Sequence, residues 1–88
     1  MKLKYDFVVN QVAEQYVAVA VGAGLEEFSG FIKMNDVGAS IFELLKNDIT
    51  LDEIITEMLK KYPDATEEEA RETITRFTDK LIAEGVVE

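Results

Sequence analysis

The strongest constraint on how this chain can fold is a change of hydrophobic period between Phe28 and Leu45. From Gly30 to Met34 the residues Ile32 and Met34 fall on one side of an extended chain and Phe31 and Lys33 on the other, which is the two-residue repeat of a strand. From Val37 onward the apolar positions are Val37, Ile41, Leu44 and Leu45, which share one helical face. The switch falls at Asn35 and Asp36. Either side chain can accept a hydrogen bond from the free N–H groups of a new helix, so a strand must end and a helix begin within one or two residues.

The flanking segments extend this pattern in both directions. Lys4 to Val12 reads as a first strand, with Tyr5, Phe7 and Val9 on one side and Asp6, Val8 and Asn10 on the other. Ala13, Glu14 and Gln15 make a turn, and Tyr16 to Val21 alternates as a strand with both faces partly covered. Gly22 and Gly24 end it, and Leu25 to Ser29 is read as a short acidic loop. Three short strands with short links are most simply an antiparallel meander.

A first helix covers Asn35 to Lys46. Thr50 with Glu53, and Thr66 with Glu69, have the three-residue offset of a capping box and open two more helices. The stripe of the second is Ile54, Ile55, Met58, Leu59 and Tyr62, and Pro63 stops it. The stripe of the third is Ala70, Ile74, Phe77 and Leu81 with Ile82 beside it, and Gly85 is placed to end it in a left-handed conformation. Val86 to Glu88 form a short extended tail. The expected fold class is α+β, an N-terminal three-stranded antiparallel meander followed by three α-helices, in the outline of a winged helix-turn-helix domain.

The run from Gly30 to Leu45 resembles the signature of the PqqD-like family, named for coenzyme PQQ synthesis protein D, whose members recognise ribosomally made precursor peptides. The residues that carry the likeness are Gly30, Asn35, Gly38, Phe42, Leu44 and Leu45, and the length and order of elements extend it over nearly all 88 residues. The resemblance implies a peptide chaperone that clamps a leader peptide as an added strand between the third strand and the third helix. The leader is then presented to a modifying enzyme, commonly a radical S-adenosylmethionine protein.

Composition agrees with a binding role. Eighty-eight residues, 48 per cent of them apolar, make one domain (1–88) with a core of its own. Eighteen acidic against nine basic residues give a net charge of −9, which opposes the counterion displacement that nucleic-acid binders rely on. There is no histidine and no cysteine, and Ser29 and Ser40 are the only serines, so the usual general bases and activated nucleophiles are missing. The glutamates at 67 to 69 complement a helix start, and no cofactor or metal is expected. The longest uncharged run, Gln15 to Leu25, is too short to span a bilayer, and a cytoplasmic location is the default expectation.

In a meander the first and third strands are edges, whose free N–H and C=O groups can pair with another chain. Gly30, Phe31, Ile32, Lys33 and Met34 are the expected edge, with Arg71, Thr75 and Thr78 along the third helix as the opposing wall. Arg76 and Lys80 are the candidates for acidic leader residues. Two alternatives stand beside this reading. One is a winged-helix DNA-binding regulator, opposed by a third helix with six acidic and three basic residues between Thr66 and Glu84. The other is a small acidic scaffold that forms a homodimer through its edge strand.

Overall fold

The computed structural model describes all residues from Met1 to Glu88. Strands β1 (Phe7–Val12) and β2 (Gln15–Ala20) form a hairpin, a single helical turn α1 (Gly24–Glu27) follows, and β3 (Phe31–Met34) completes the sheet. Helices α2 (Asp36–Leu44), α3 (Leu51–Lys61) and α4 (Glu67–Ala83) complete the chain. The sheet order is β1-β2-β3 with both pairings antiparallel, so β1 and β3 are its edges, as a meander requires.

Alternation along the strands sorts the side chains by face. Ile32 pairs with Ala18 and Met34 with Tyr16, and these residues look inward, with Ile32, Ala18 and Met34 buried. Phe7 is opposite Ala20 on the same face and meets Phe42 edge to face at a centroid distance of 5.2 Å. The core then continues through Ile41, Phe42, Leu45, Ile54, Ile74, Leu81 and Val86, all fully enclosed. Phe42 stands outside the Val37–Ile41–Leu44–Leu45 stripe, and it is buried because α2 is covered on two sides, by the sheet and by α3.

The helix starts follow from local chemistry. Asn35 is the cap of α2: its Oδ1 accepts the Gly38 N–H at 2.8 Å, while Asp36 accepts its neighbour Val37 N–H at 3.0 Å. Both capping boxes form. Glu53 N–H donates to Thr50 Oγ1 at 3.1 Å and Thr50 N–H to Glu53 Oε1 at 3.0 Å, with the same exchange between Thr66 and Glu69. Gly85 takes φ +77° after α4, where its N–H reaches Ile82 and that of Val86 reaches Leu81. Those two bonds define a Schellman ending.

Two segments depart from the sequence expectation. Lys4 and Tyr5 do not continue β1, although the Asp6 carbonyl still accepts the Val21 N–H at 2.9 Å, because the residues before them pair with the tail: Leu3 bridges Val87, Lys4 N–H donates to Val86, and Lys2 and Glu88 exchange backbone bonds. The Met1 amine donates to Asp48 Oδ1 at 2.9 Å and to the Ile49 carbonyl at 2.8 Å, and this bond together with the amine's charge holds the Asp48 carboxyl below the usual range. The acidic loop contains α1, held by one i→i−4 bond from Phe28 to Gly24 at 2.8 Å. A single turn has no periodicity to read.

Candidate functional site

β3 is short, has no proline, and leaves one side unpaired, since β2 is its only strand neighbour. Alternate residues of an edge strand direct both N–H and C=O away from the sheet, so this edge offers a row of unmet backbone bonds. Its side chains divide cleanly. Ile32 and Met34 turn their side chains into the core and their backbone groups toward β2, so the unmet N–H and C=O groups are those of Phe31, which is 60% exposed, and of Lys33, on the outer face beside it. Phe31 ends an apolar row across that outer face, opposite Val19, which is in turn opposite Val8.

Helix α4 flanks this edge without closing over it. Its main packing is on α3, and its backbone contact with β3 is no more than marginal. The approach is made by one aromatic side chain. A Cβ placed on Gly38 would lie 3.1 Å from the Phe77 ring and 3.2 Å from Met34 Cβ, which puts Phe77, the start of α2 and the end of β3 at one point. Glycine at 38 lets the three elements meet so closely.

Helical geometry then assigns the flanks of α4. Thr73 and Lys80 lie four before and three after Phe77, on the side turned toward Met34 and Gly38. Arg71 and Thr75 lie on the opposite flank, where Arg71 reaches Asp52 at the start of α3 at 3.1 Å and Glu67 at 3.9 Å. Thr78 is buried, its hydroxyl donating to the Thr75 carbonyl at 3.1 Å. Arg76 points to solvent and pairs with Glu72 at 2.8 Å. The Phe77 flank, which also carries Thr73 and Lys80, is thus the side of α4 that meets the Met34 end of β3, while Arg71 is turned to the start of α3 and Thr78 is buried. Lys33 and Lys80 form no ion pair.

Phe77 was legible in the sequence only as a core residue, and Thr73 carried no signal of its own. The stripe Thr73–Phe77–Lys80 can be written from the sequence, but so can Arg71–Thr75–Thr78. Which flank meets β3 depends on the side from which α3 approaches, and no local pattern encodes that.

The architecture defines the class: a winged-helix-like α+β domain with a free strand edge set against a C-terminal helix. The family model described as Coenzyme PQQ synthesis protein D (PqqD) matches residues 15–87, from the first residue of β2 to the tail, and the chain belongs to that family. Among solved structures, TbiB1 in complex with the TbiA(beta) leader peptide shares the fold, with a TM-score of 0.73 and 18% identity over 100% of this chain and 95% of that one. None of the curated proteins compared with the chain matches it.

Proposed function

We propose that this protein is a non-catalytic adaptor that binds the leader segment of a ribosomally synthesised precursor peptide and presents it to a modifying enzyme, such as a radical S-adenosylmethionine protein. The leader adds as a fourth strand at the free edge of β3, with Thr73, Phe77 and Lys80 of α4 as the opposing wall. The observation that carries the reading is the unpaired Phe31–Met34 edge, at whose Met34 end Phe77 of α4 converges. Membership of the PqqD family and the likeness to a protein solved with a leader peptide support it.

Magnitudes require both walls. Four or five backbone hydrogen bonds at a net ~1 kcal/mol each supply about 4 to 5 kcal/mol, before the entropy of association is subtracted. Micromolar binding needs about 8 kcal/mol. Burial of roughly 200 Å² of apolar leader surface at ~25 cal/mol/Å² adds about 5 kcal/mol, so side chains seated against Phe77 decide affinity and sequence preference. Lys33 and Lys80, free of ion pairs, favour acidic leader positions nearby.

The DNA-binding alternative is weakened by the same helix. Arg71 and Arg76, two of the three cations of α4, are engaged by Asp52, Glu67 and Glu72. Phosphate contacts would have to break those pairs within a domain of net charge −9.

An NMR titration of labelled protein with the leader segment of a short precursor peptide encoded beside its gene tests the proposal. Amide shifts confined to Gly30–Met34 and the Thr73–Phe77–Lys80 flank, saturating at micromolar peptide, are expected. Lys33→Pro should keep the fold and lose the peptide, because proline removes an edge donor and interrupts pairing. Unchanged affinity in that variant refutes strand addition. Shifts at β3 that grow with protein concentration alone and are suppressed by peptide identify a homodimer competing for the same edge.

A further inference from the structure

The sheet has a second free edge, and it is the longer one. β1 reads Phe-Val-Val-Asn-Gln-Val, with no charged residue and no proline, whereas β3 carries Lys33. Natural strand edges are blunted by such residues, and this one is not. The bond from the Val21 N–H to the Asp6 carbonyl at 2.9 Å fixes the parity of the β1–β2 ladder. Val8, Asn10 and Val12 therefore turn their backbone groups to β2, and Phe7, Val9 and Gln11 turn theirs outward. No backbone bond from another part of the chain meets those outward groups. Helix α2 packs chiefly under β2 and β3, and a polar hollow lies beneath Val9 and Gln11, with Ser40, Glu43 and Lys61 on its far side.

A strand that pairs with a copy of itself must set outward groups opposite outward groups. In a two-fold antiparallel arrangement centred on Val9, Phe7 lies opposite Gln11 of the second copy and Val9 opposite Val9, so Phe7, Val9 and Gln11 all find partners. Moving the axis to Val8 leaves Gln11 without a partner, and moving it to Asn10 leaves Phe7 without one. The centred register also lays Val8, 46% exposed, beside Asn10 of the second copy, and carries Glu14 of each hairpin turn toward the other's Lys4. Neither Lys4 nor Glu14 has an ion pair within the chain. We propose that a second copy of this chain pairs along β1 in this register, joining two three-stranded sheets into one of six strands. β3 then stands at both outer edges, about 24 Å apart at ~4.8 Å per strand spacing. Both leader edges stay open in one assembly, a consequence that rests on the strand-addition reading, whereas the pairing itself does not. An edge about 20 Å long covers well under the ~800 Å² per partner of a stable interface, so the dimer is weak and fills only toward millimolar protein. Two copies of net charge −9 repel each other, so added salt tightens it.

The test follows the full chain by sedimentation equilibrium and by NMR dilution from millimolar to micromolar protein. The expected result is a monomer–dimer equilibrium whose amide shifts centre on Phe7, Val9 and Gln11, and which tightens several-fold from low to high salt. Saturating leader peptide, the synthetic leader segment of a precursor encoded beside the gene, should leave it unchanged. A monomer at every concentration overturns the proposal, and so does a dimer that shifts Gly30–Met34 instead or that the leader dissociates. Because the chain has no cysteine, single-cysteine variants read the register. Val9→Cys sets two cysteines across the axis with Cα atoms about 5.5 Å apart, within disulfide reach, whereas those of Gln11→Cys lie about 13 Å apart. Under mild oxidation Val9→Cys should cross-link about tenfold faster or more, and equal rates overturn the register. Gln11→Pro removes an outward donor and leaves the β1–β2 ladder intact, so it should weaken the dimer about tenfold or more, with amide dispersion checking the fold. An undiminished dimer in that variant overturns pairing along β1. A protein that dimerises as described while the leader binds nowhere keeps the β1 pairing and removes only the strand-addition reading.

Discussion

Gly38→Ala probes the point where the strand edge, the first helix after it and the C-terminal helix converge. The new methyl would sit 3.1 Å from Phe77 Cε1, 3.2 Å from Met34 Cβ and 3.3 Å from Phe77 Cζ. Carbon pairs are comfortable at roughly 3.5–4.0 Å, so each neighbour must give by a few tenths of an ångström. Met34 Cβ is tied to the β3 backbone and cannot move far, so the Phe77 ring takes most of the displacement. Two effects then compete. Alanine gains about 1 kcal/mol over glycine inside a helix, and overpacking costs roughly 1–3 kcal/mol. The expected net change is a destabilisation between about 0 and 2 kcal/mol, read as a lower urea midpoint with an unchanged slope. Side-chain shifts of Phe77 and Met34 should accompany it, and leader affinity should fall more than stability does. Gly30→Ala is the internal control, because its nearest neighbour is Phe28 Cζ at a relaxed 3.7 Å. A Gly38→Ala protein stabilised by the full helix gain, with Phe77 and Met34 resonances unmoved, would refute the close approach on which the site geometry depends.

Other outcomes follow from the same structure. Gly85→Ala forces φ +77° on a residue with a Cβ, though the space around it is open, and should cost about 1–2 kcal/mol of unfolding free energy, with Gly85→Asn recovering part of it. Glu69 has a carboxyl pKa lowered first by the Thr66 N–H and then by its hydroxyl. A lowered folded-state pKa adds stability above the unfolded value of about 4.3 that is lost as pH falls through the folded value. The thermal midpoint of Glu69→Gln should therefore approach that of the wild type at acid pH and separate from it toward neutrality; a constant gap across pH 2 to 7 on the order of the neutral value would contradict the assignment. Charge reversal separates the two flanks of α4: Lys80→Glu should weaken leader binding several-fold, while Arg71→Glu should leave it nearly unchanged and act instead through its pair with Asp52. Calorimetric titration of both variants with one leader peptide decides between the flanks.

Much of the fold was written locally. Asn35 could be read as a cap because a short side-chain acceptor stands just before the first periodic residue, and Thr50–Glu53 and Thr66–Glu69 form their boxes within one turn of chain. Gly85 ends α4 for an equally local reason, the left-handed conformation that glycine adopts without strain. Strand alternation separated Ile32 and Met34 from Phe31 and Lys33, a division that burial then resolves into inner and outer faces, and the order of elements carried the family resemblance that the PqqD match bears out. These features depend on neighbours a few residues apart, and the sequence states those neighbours directly.

What lies between elements was not written that way. Lys4 and Tyr5 alternate as a strand would, yet the chain pairs Lys2 to Lys4 with Val86 to Glu88, partners more than eighty residues away. Phe42 lies off the helical stripe and is buried because two layers converge on α2. The helix-side wall was decided in the same way. Arg71–Thr75–Thr78 and Thr73–Phe77–Lys80 are both valid stripes of one helix, and the side on which α3 packs gives Arg71 to Asp52 and Phe77 to Met34. Periodicity fixes which residues share a face, whereas the face that meets a given neighbour is a property of how the elements pack, and only the tertiary structure contains it.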